Sequence, residues 1–336
     1  MPNVWAHFIF GQFVLKELGD AELLQSIEHK NMFNLGCQGP DFLFYHRFFP
    51  WQRSAALNRM GTELHNSHCG PVLTLLLDSV IERKGCSNQS DPSILYTLGF
   101  VLHHILDRNL HPYIFSKSGF RKWDHQRFEI MMDTLIVREL WGIETWNTAV
   151  YKYINTGGVF PEPIIDAFMS ITETYYPELA PLIARKDWNR ANRDFTTAQR
   201  LFHDPTGIRR KLTFGQIEPF VYKSNNINYD ILNLAGKPWL DPVDGKIYHR
   251  ENVWTLWNRA MTDALAVIPA ILAWLRAFEH PQPAKEDRAQ VRKLREEAVN
   301  LIGNRSYETG LDCDSGACIR YADTIWHDQT GITENK

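Results

Sequence analysis

The sequence predicts an all-α protein, and three observations support this prediction. Apolar residues recur at helical spacing over most of the chain, beginning with residues 4–18. Strand-like alternation of apolar and polar residues is rare. Helix-start and helix-stop signals divide the periodic segments, for example Gly19-Asp20 and Asp91-Pro92-Ser93. We therefore expect a bundle of many helices.

The first half of the chain is predicted to contain most of the clear helices. They span 4–18, 21–29, 58–83, 91–107 and 124–141. Gly70-Pro71 is the expected interruption of the third of these. Residues 34–53 hold two Gly, two Pro and an aromatic cluster, which indicates a structured loop. Pro112 disfavours helical geometry at His111, so we expect the fourth helix to end before it.

The second half is predicted to be helical with longer connections. Helices are expected at 164–176, 179–203, 253–280 and 286–300, with loops and short helices between 204 and 252. The division predicted is a metal-binding helical core (1–150), helices that complete or cover the bundle (151–303), and a polar, loosely ordered tail (304–336).

Composition narrows the class of protein. The chain has 336 residues, which suffice for a sizeable core, and a net charge of -3, which disfavours nucleic acid as a partner. Five scattered cysteines do not form a disulfide framework, although Cys313 and Cys318 are five residues apart and could form a local disulfide. We find neither a signal-peptide pattern nor an apolar run of about 18 residues, and we expect a cytoplasmic protein.

Two histidine–carboxylate pairs indicate a metal centre. His103 and Asp107 are four residues apart, and so are His125 and Glu129. Residues at this spacing lie one above the other on a helix face, so each pair offers a nitrogen and an oxygen ligand to one point. One such pair is usually structural. Two pairs with His111 between them favour a metal site between facing helices.

Further candidate ligands precede these pairs. His7, Asp41 and His65 come earlier in the chain, and nine of the 13 histidines lie within the first 125 residues. Zinc binds imidazole nitrogen and carboxylate oxygen at about 2.0–2.2 Å, and hydrolases with several zinc ions use both.

The series HxxxD, His-Pro and HxxxE resembles the zinc-dependent phospholipase C family, a helical family similar to S1/P1-type nucleases. Gly39-Pro40-Asp41-Phe42 and the early His7 belong to the same resemblance, which covers about residues 1–140. It implies a phospholipase C/P1 nuclease-like bundle, here with a helical C-terminal extension, that binds two to three zinc ions.

The resemblance also implies a ligand set. The first zinc would bind His103, Asp107, Asp41 and a further histidine. The second would bind His111, His125 and Glu129, and the third would bind His7 and Asp107. For the further histidine we prefer His65, then His68, then His46.

Two features depart from the family pattern. In secreted relatives the third zinc also binds the amine and carbonyl of an N-terminal tryptophan, whereas Trp5 here is internal and only a Pro2 amine, left after removal of Met1, would substitute. In addition, only three residues separate Asp107 from His111, where relatives commonly have a longer gap.

The implied activity is hydrolysis of a phosphodiester. Zinc lowers the pKa of bound water to about 7, and the resulting hydroxide would attack phosphorus, with Asp41 as a candidate acceptor for the proton of the water. A phospholipid is the first choice of substrate and another small-molecule phosphodiester the second. A lipid substrate implies transient contact with a membrane surface but needs no transmembrane segment.

Two alternatives remain open on the sequence. A non-catalytic family member with incomplete metal sites would serve as a binding protein. An HD-type phosphohydrolase would need adjacent His-Asp pairs, which occur only at His203-Asp204 and His327-Asp328, outside the cluster.

Overall fold

Helices dominate the residues that the computed structural model describes, which are 4–49, 51–53, 55–84, 89–121, 123–215, 217, 220–222, 227–278, 285–326 and 332–334. The helices are α1 (Val4–Glu17), α2 (Ile27–Gly36), α3 (Ala56–Asn66), α4 (Cys69–Lys84), α5 (Pro92–Ser118), α6 (Asp124–Trp141), α7 (Glu162–Tyr175), α8 (Arg185–Phe202), α9 (Ile208–Leu212), α10 (Val253–Phe278) and α11 (Lys285–Ile302). The prediction of an all-α protein is confirmed.

Two short antiparallel pairs are the strands found among these residues. β1 (Trp239–Leu240) pairs with β2 (Tyr248–His249), and β3 (Tyr321–Asp323) pairs with β4 (Ile332–Glu334). They lie in the second half of the chain, and both β1 and β3 contact α5. Neither pair extends into a larger sheet.

Helix α5 is the centre of the bundle. Asp91 caps its start by accepting a hydrogen bond from the main-chain N–H of Ser93 at 2.8 Å. Nearly all of its side chains are buried, and α1, α2, α4, α6 and α10 pack around it. Because these five helices converge on one axis, side chains from several of them can meet beside α5.

The backbones of α2 and α5 approach closely because both helices have glycine at the crossing. A Cβ at Gly36 would lie 2.1 Å from the carbonyl oxygen of Tyr96, and a Cβ at Gly99 would lie 2.5 Å from that of Phe33. Any larger residue would force the helices apart. This contact sets the position of the loop that follows α2.

The prediction that the helix ends before His111 is wrong. α5 continues through Pro112 to Ser118. A proline inside a helix removes one hydrogen bond and costs about 3 kcal/mol. Burial of Leu110, Tyr113 and Ile114 around it contributes on the order of 2 kcal/mol each, which outweighs that cost.

The helix predicted at 58–83 is two helices, as the expected interruption implies. The break lies at Ser67 and His68, where His68 has a φ of 55°, and not at Gly70-Pro71. Pro71 lies in the first turn of α4, where the missing N–H costs little.

The tail was expected to be loosely ordered, but residues 304–326 pack against the bundle. Tyr307 and Trp326 are buried, and the indole N–H of Trp326 donates to the carbonyl oxygen of Ser118 at 2.7 Å. Aromatic residues within a polar stretch account for the difference. The predicted domain boundaries stay a prediction.

By length and composition alone, α10 is apolar enough to cross a membrane, and no other helix among the described residues is. It packs against α5 and α11, and its Asp263 accepts a hydrogen bond from Arg108 at 2.9 Å. In this fold α10 is a helix of the core.

Candidate metal centre

Three residues of α5 project from one face, each one turn after the last. Asp107 Oδ2 lies 3.0 Å from His103 Nε2, and Asp107 Oδ1 lies 3.6 Å from His111 Nε2. All three side chains are buried. The uninterrupted helix is what brings His111 onto the same face as Asp107.

Helix α6 supplies the second pair from the facing side. His125 Nε2 lies 2.9 Å from Glu129 Oε1, which in turn lies 3.4 Å from His111 Nε2. Gly119, with a φ of 75°, ends α5, and the chain then turns back so that α6 packs against it. The two helices thus place His111, His125 and Glu129 around one point.

A third side of the centre comes from the 3₁₀ helix Asp41–Tyr45 and from α3. His65 Nε2 lies 3.1 Å from Asp41 Oδ1, and His103 Nε2 lies 3.9 Å from the same oxygen. Asp41 and His65 are both buried. Asp41, His65 and His103 therefore form a second group of converging ligand atoms.

Helix α1 contributes His7. Its Nε2 lies 3.3 Å from Asp107 Oδ1, and its ring stacks on His103 with centroids 4.1 Å apart. The start of α1 is fixed by buried Asp133, which accepts hydrogen bonds from the main-chain N–H groups of Trp5 and Ala6. His7, His103 and Asp107 form a third group.

The structure thus brings all eight residues predicted as metal ligands into three linked groups. The groups are His7, His103 and Asp107; Asp41, His65 and His103; and His111, His125 and Glu129. Within each group the ligand atoms lie within 4.8 Å of one another. His103 belongs to two groups, and Asp107 Oδ1 lies 3.6 Å from His111 Nε2 of the remaining group, so the three form one centre.

Hydrogen bonds orient the histidine rings for ligation. The Nδ1–H group of His65 donates to the carbonyl oxygen of Gly61 at 2.7 Å. In the same way His103 donates to the carbonyl oxygen of Cys37 at 3.1 Å, and His111 to that of Tyr307 at 2.9 Å. A hydrogen bond of 3.1 Å also joins His125 Nδ1 to the Ser118 hydroxyl. The three bonds to carbonyl oxygens fix the tautomer that leaves Nε2 as a ligand.

Several atoms that face the centre are buried without a hydrogen-bond partner. They are Nε2 of His7, His103 and His111 and both carboxylate oxygens of Asp107. Leaving such groups unsatisfied costs about 1–3 kcal/mol each. Ligands about 2.1 Å from a tetrahedral zinc lie about 3.4 Å apart. The observed spacings of 3.0–3.6 Å around Asp107 fit that geometry.

The protonation states also suit a metal. Burial alone would raise the pKa of Asp107, but the facing His103, His111 and His7 lower it well below its usual range. Burial lowers the pKa of His111 and His125 far below normal, and that of His7 to about 4. Burial opposes protonation of His65 too, but Asp41 raises its pKa. An ionised carboxylate beside the neutral imidazoles of His7 and His111 is a ready donor set.

Gly39 belongs to the site through its conformation. Its φ is +49°, and a Cβ there would lie 2.1 Å from the His103 ring. The Gly39-Pro40-Asp41 turn therefore lies directly against one ligand while it positions another. This is the physical role of the glycine in the motif.

The other histidines considered for the first zinc lie elsewhere. His68 stacks on Tyr175, with ring centroids 5.2 Å apart, and His46 Nδ1 lies 3.2 Å from Asp194. The Pro2 amine falls outside the described residues.

The residues that support the ligands from behind were not predicted from the sequence. The segment 303–316, which we call the C-terminal brace, supplies the Tyr307 carbonyl to His111 and the Arg305 carbonyl to His104. The main-chain N–H of Tyr307 donates to the carbonyl of His65 at 2.9 Å. No spacing or motif in the sequence connects this segment to the histidines. Its one signal is an aromatic residue within a polar stretch.

A helical bundle that surrounds a buried cluster of histidine and carboxylate side chains is the setting of a polynuclear metal site. The family described as zinc dependent phospholipase C matches residues 6–175, about half of the chain. The protein belongs to this family. No curated protein and no solved structure matches the chain.

The structure gives no support to the HD-type alternative. Within the part of the chain that is described, no ligand group includes His203 or Asp204. His327 and Asp328 fall outside that part.

Proposed function

We propose that the protein is a zinc-dependent phosphodiesterase of the phospholipase C type, with two to three zinc ions and a phospholipid as substrate. Family membership and the three linked ligand groups support this proposal. The observation that carries it is the Asp107 carboxylate, which faces His7, His103 and His111 at 3.0–3.6 Å without a hydrogen-bond partner.

The eight side chains would hold the ions. Zinc bound there would supply Lewis-acid stabilisation of phosphoryl charge and lower the pKa of a water to about 7. Asp41 would accept the proton of the attacking water. Its Oδ1 faces the His65 ring, which Gly61 holds in place through Nδ1, so the carboxylate is fixed before substrate binds.

Substrate would enter at the His125 side of the centre. The His125 side chain is 25% exposed, whereas those of His7, His103 and Asp107 are fully enclosed. Beside it, Gln126 donates a hydrogen bond to the Tyr45 hydroxyl at 3.3 Å. This pair offers polar groups at the entrance, where a phosphodiester would approach.

The segment that follows α8 presents exposed apolar and basic side chains suited to a lipid surface. Leu212 and Phe214 are 73% and 95% exposed, and the basic Arg210 and Lys211 stand beside them. An exposed apolar pair with adjacent cations suits the headgroup region of an anionic bilayer. Phe220, six residues beyond Phe214 in sequence, packs on Trp123, which precedes His125 by two residues.

The test combines metal content with hydrolysis. We expect two to three zinc ions per chain by elemental analysis of protein purified without chelator. That value should fall by at least one in His125→Ala/Glu129→Ala and not in the exposed control Glu139→Ala. Zinc-loaded protein should hydrolyse bis(p-nitrophenyl) phosphate and phosphatidylcholine vesicles in preference to p-nitrophenyl phosphate.

Other outcomes would contradict the proposal in different ways. A wild-type zinc content near zero that added zinc does not restore would remove the metal centre. Full zinc content with no diester hydrolysis would instead favour the non-catalytic binding protein.

A further inference from the structure

Two cysteines that are distant in sequence meet behind the metal centre. Cys69 is the first residue of α4, and Cys313 begins the 3₁₀ turn Cys313–Ser315 within the C-terminal brace. Both are free thiols, and they lie close enough for each to influence the other. The contact therefore joins the end of the brace to the start of α4.

Hydrogen bonds to Asn304 hold the segments that carry the two cysteines next to each other. The Asn304 side-chain oxygen accepts a hydrogen bond from the N–H of Gly70 at 3.1 Å, and its main-chain oxygen accepts one from the N–H of Cys313 at 2.8 Å. A Cβ at Gly70 would lie 2.2 Å from the carbonyl oxygen of Gly303, so the two backbones touch. Asn304 therefore binds both Gly70, which follows Cys69, and Cys313.

The two cysteines lie in the segments of the chain that support two metal ligands. Cys69 follows His65 by four residues, and the brace between Asn304 and Cys313 contains Tyr307. Tyr307 accepts from His111 Nδ1 and donates to the carbonyl oxygen of His65. A covalent link between the two cysteines would restrain the brace against both ligands.

We propose that Cys69 and Cys313 are a disulfide-forming pair whose oxidation locks the C-terminal brace onto the metal centre. The pairing concerns the covalent state of the chain and is independent of the proposed function, whereas the lock rests on the zinc binding proposed above.

Formation of the disulfide requires an oxidant, and a small-molecule disulfide such as oxidised glutathione is sufficient. The Cys313 thiolate attacks one sulfur of that disulfide and releases one glutathione thiolate. The Cys69 thiolate then attacks the Cys313 sulfur of the mixed disulfide and releases the second. The protons of the two cysteine thiols pass to the two glutathione thiols, so one disulfide is reduced as one is formed.

The order of attack follows from the surroundings of the two thiols. Cys313 is partly exposed, and its interaction with Cys69 lowers its pKa. Cys69 is fully buried, and burial raises its pKa. The accessible Cys313 therefore reacts with the oxidant, and the buried Cys69 resolves the mixed disulfide.

The pairing of Cys313 with Cys318, which their sequence spacing suggested, competes with this proposal. Cys318 is exposed, and its sulfur accepts a hydrogen bond from Arg320 Nε at 3.1 Å. Cys37 is buried beside α1, where a Cβ at Gly11 would lie 2.8 Å from its sulfur.

The test is peptide mapping of the full-length protein without reduction, after incubation with oxidised glutathione. We expect a linked pair of peptides that contain Cys69 and Cys313, present in wild type and Cys318→Ser and absent in Cys313→Ser. A Cys313–Cys318 link, a persistent glutathione adduct on Cys313, or two thiols that remain free to alkylate would each overturn the pairing.

A second measurement tests the lock, with zinc alone as the probe. Transfer of zinc to a chromogenic chelator should be slower from oxidised than from reduced wild type by on the order of tenfold, the scale on which outer-shell partners change metal affinity. Cys313→Ser should lose that difference while Cys318→Ser keeps it. Equal rates from oxidised and reduced wild type would refute the lock.

Discussion

Asp107 and His111 lie one turn apart on α5, with Oδ1 3.6 Å from Nε2, although Pro112 follows His111 directly. The short gap between these two residues, which departs from the family pattern, is accommodated by a helix that does not end. The same oxygen lies 3.3 Å from His7 Nε2, while Oδ2 lies 3.0 Å from His103. One carboxylate therefore faces three histidines from two helices.

Replacing this carboxylate should disrupt the centre more than replacing any one histidine. Asp107→Asn keeps the shape but removes the charge and one ligand oxygen. We expect zinc content at or below one ion per chain, a larger loss than in His125→Ala, and no measurable diester hydrolysis. Elemental analysis beside the exposed control Glu139→Gln checks this, and retention of wild-type zinc content by Asp107→Asn would show that the carboxylate is not a ligand.

Gly39→Ala should destabilise the protein even without metal. The substitution combines a φ of +49° with a contact of 2.1 Å to the His103 ring, so we expect a loss of about 2–4 kcal/mol in the free energy of unfolding. Gly157→Ala is the matched control, because its φ is +73° but nothing lies within 4 Å. Urea unfolding in chelator compares the two, and equal losses would mean that the His103 contact adds nothing.

Asp194→Asn should lower stability at neutral pH but less in acid. Burial alone would raise the pKa of Asp194, but the His46 ring at 3.2 Å and a hydrogen bond from the main-chain N–H of Arg47 lower it. A depressed carboxyl pKa stabilises the fold above the unfolded value of about 4, and this contribution is lost as pH falls through the folded value. The deficit, about 1–2 kcal/mol at pH 7, should therefore narrow below about pH 4.

Urea unfolding at several pH values, with exposed Glu173→Gln as the control, measures that deficit. A gap between wild type and Asp194→Asn that stays constant down to the lowest pH at which both fold would contradict the assigned interaction.

Leu212→Ser/Phe214→Ser should weaken attachment to lipid without loss of zinc. We expect reduced co-sedimentation with vesicles of phosphatidylcholine and phosphatidylserine, because two exposed apolar side chains no longer enter the headgroup region. Hydrolysis of bis(p-nitrophenyl) phosphate should be unchanged. Leu182→Ser, which alters a side chain that is 68% exposed elsewhere, is the control. Equal binding by all three proteins would argue against this surface.

The ligand pairs on α5 and α6 were predictable because helical spacing alone decides which side chains share a face. His103 with Asp107, and His125 with Glu129, needed no tertiary information. Asp41, His65 and His7 were found through the family resemblance, and the structure places them against the same face of α5.

The rest depended on tertiary contacts that local patterns do not encode. The continuation of α5 through Pro112 is decided by burial on all sides of that helix, which outweighs the preference of proline. The contact of Tyr307 with His111 joins residues 196 positions apart. Cys69 and Cys313 likewise meet only after the brace folds back, which is why sequence spacing suggested Cys318 as the partner.

The C-terminal brace has a consequence for how the protein is made. All eight candidate ligands leave the ribosome with the first 129 residues, but the carbonyl that orients His111 follows at Tyr307. We therefore expect a nascent chain to carry the ligands for most of its synthesis without the support that aligns them. Tight zinc capture then becomes a late event that follows the synthesis of Tyr307, and a ribosome that stalls before Tyr307 yields a chain that binds zinc weakly.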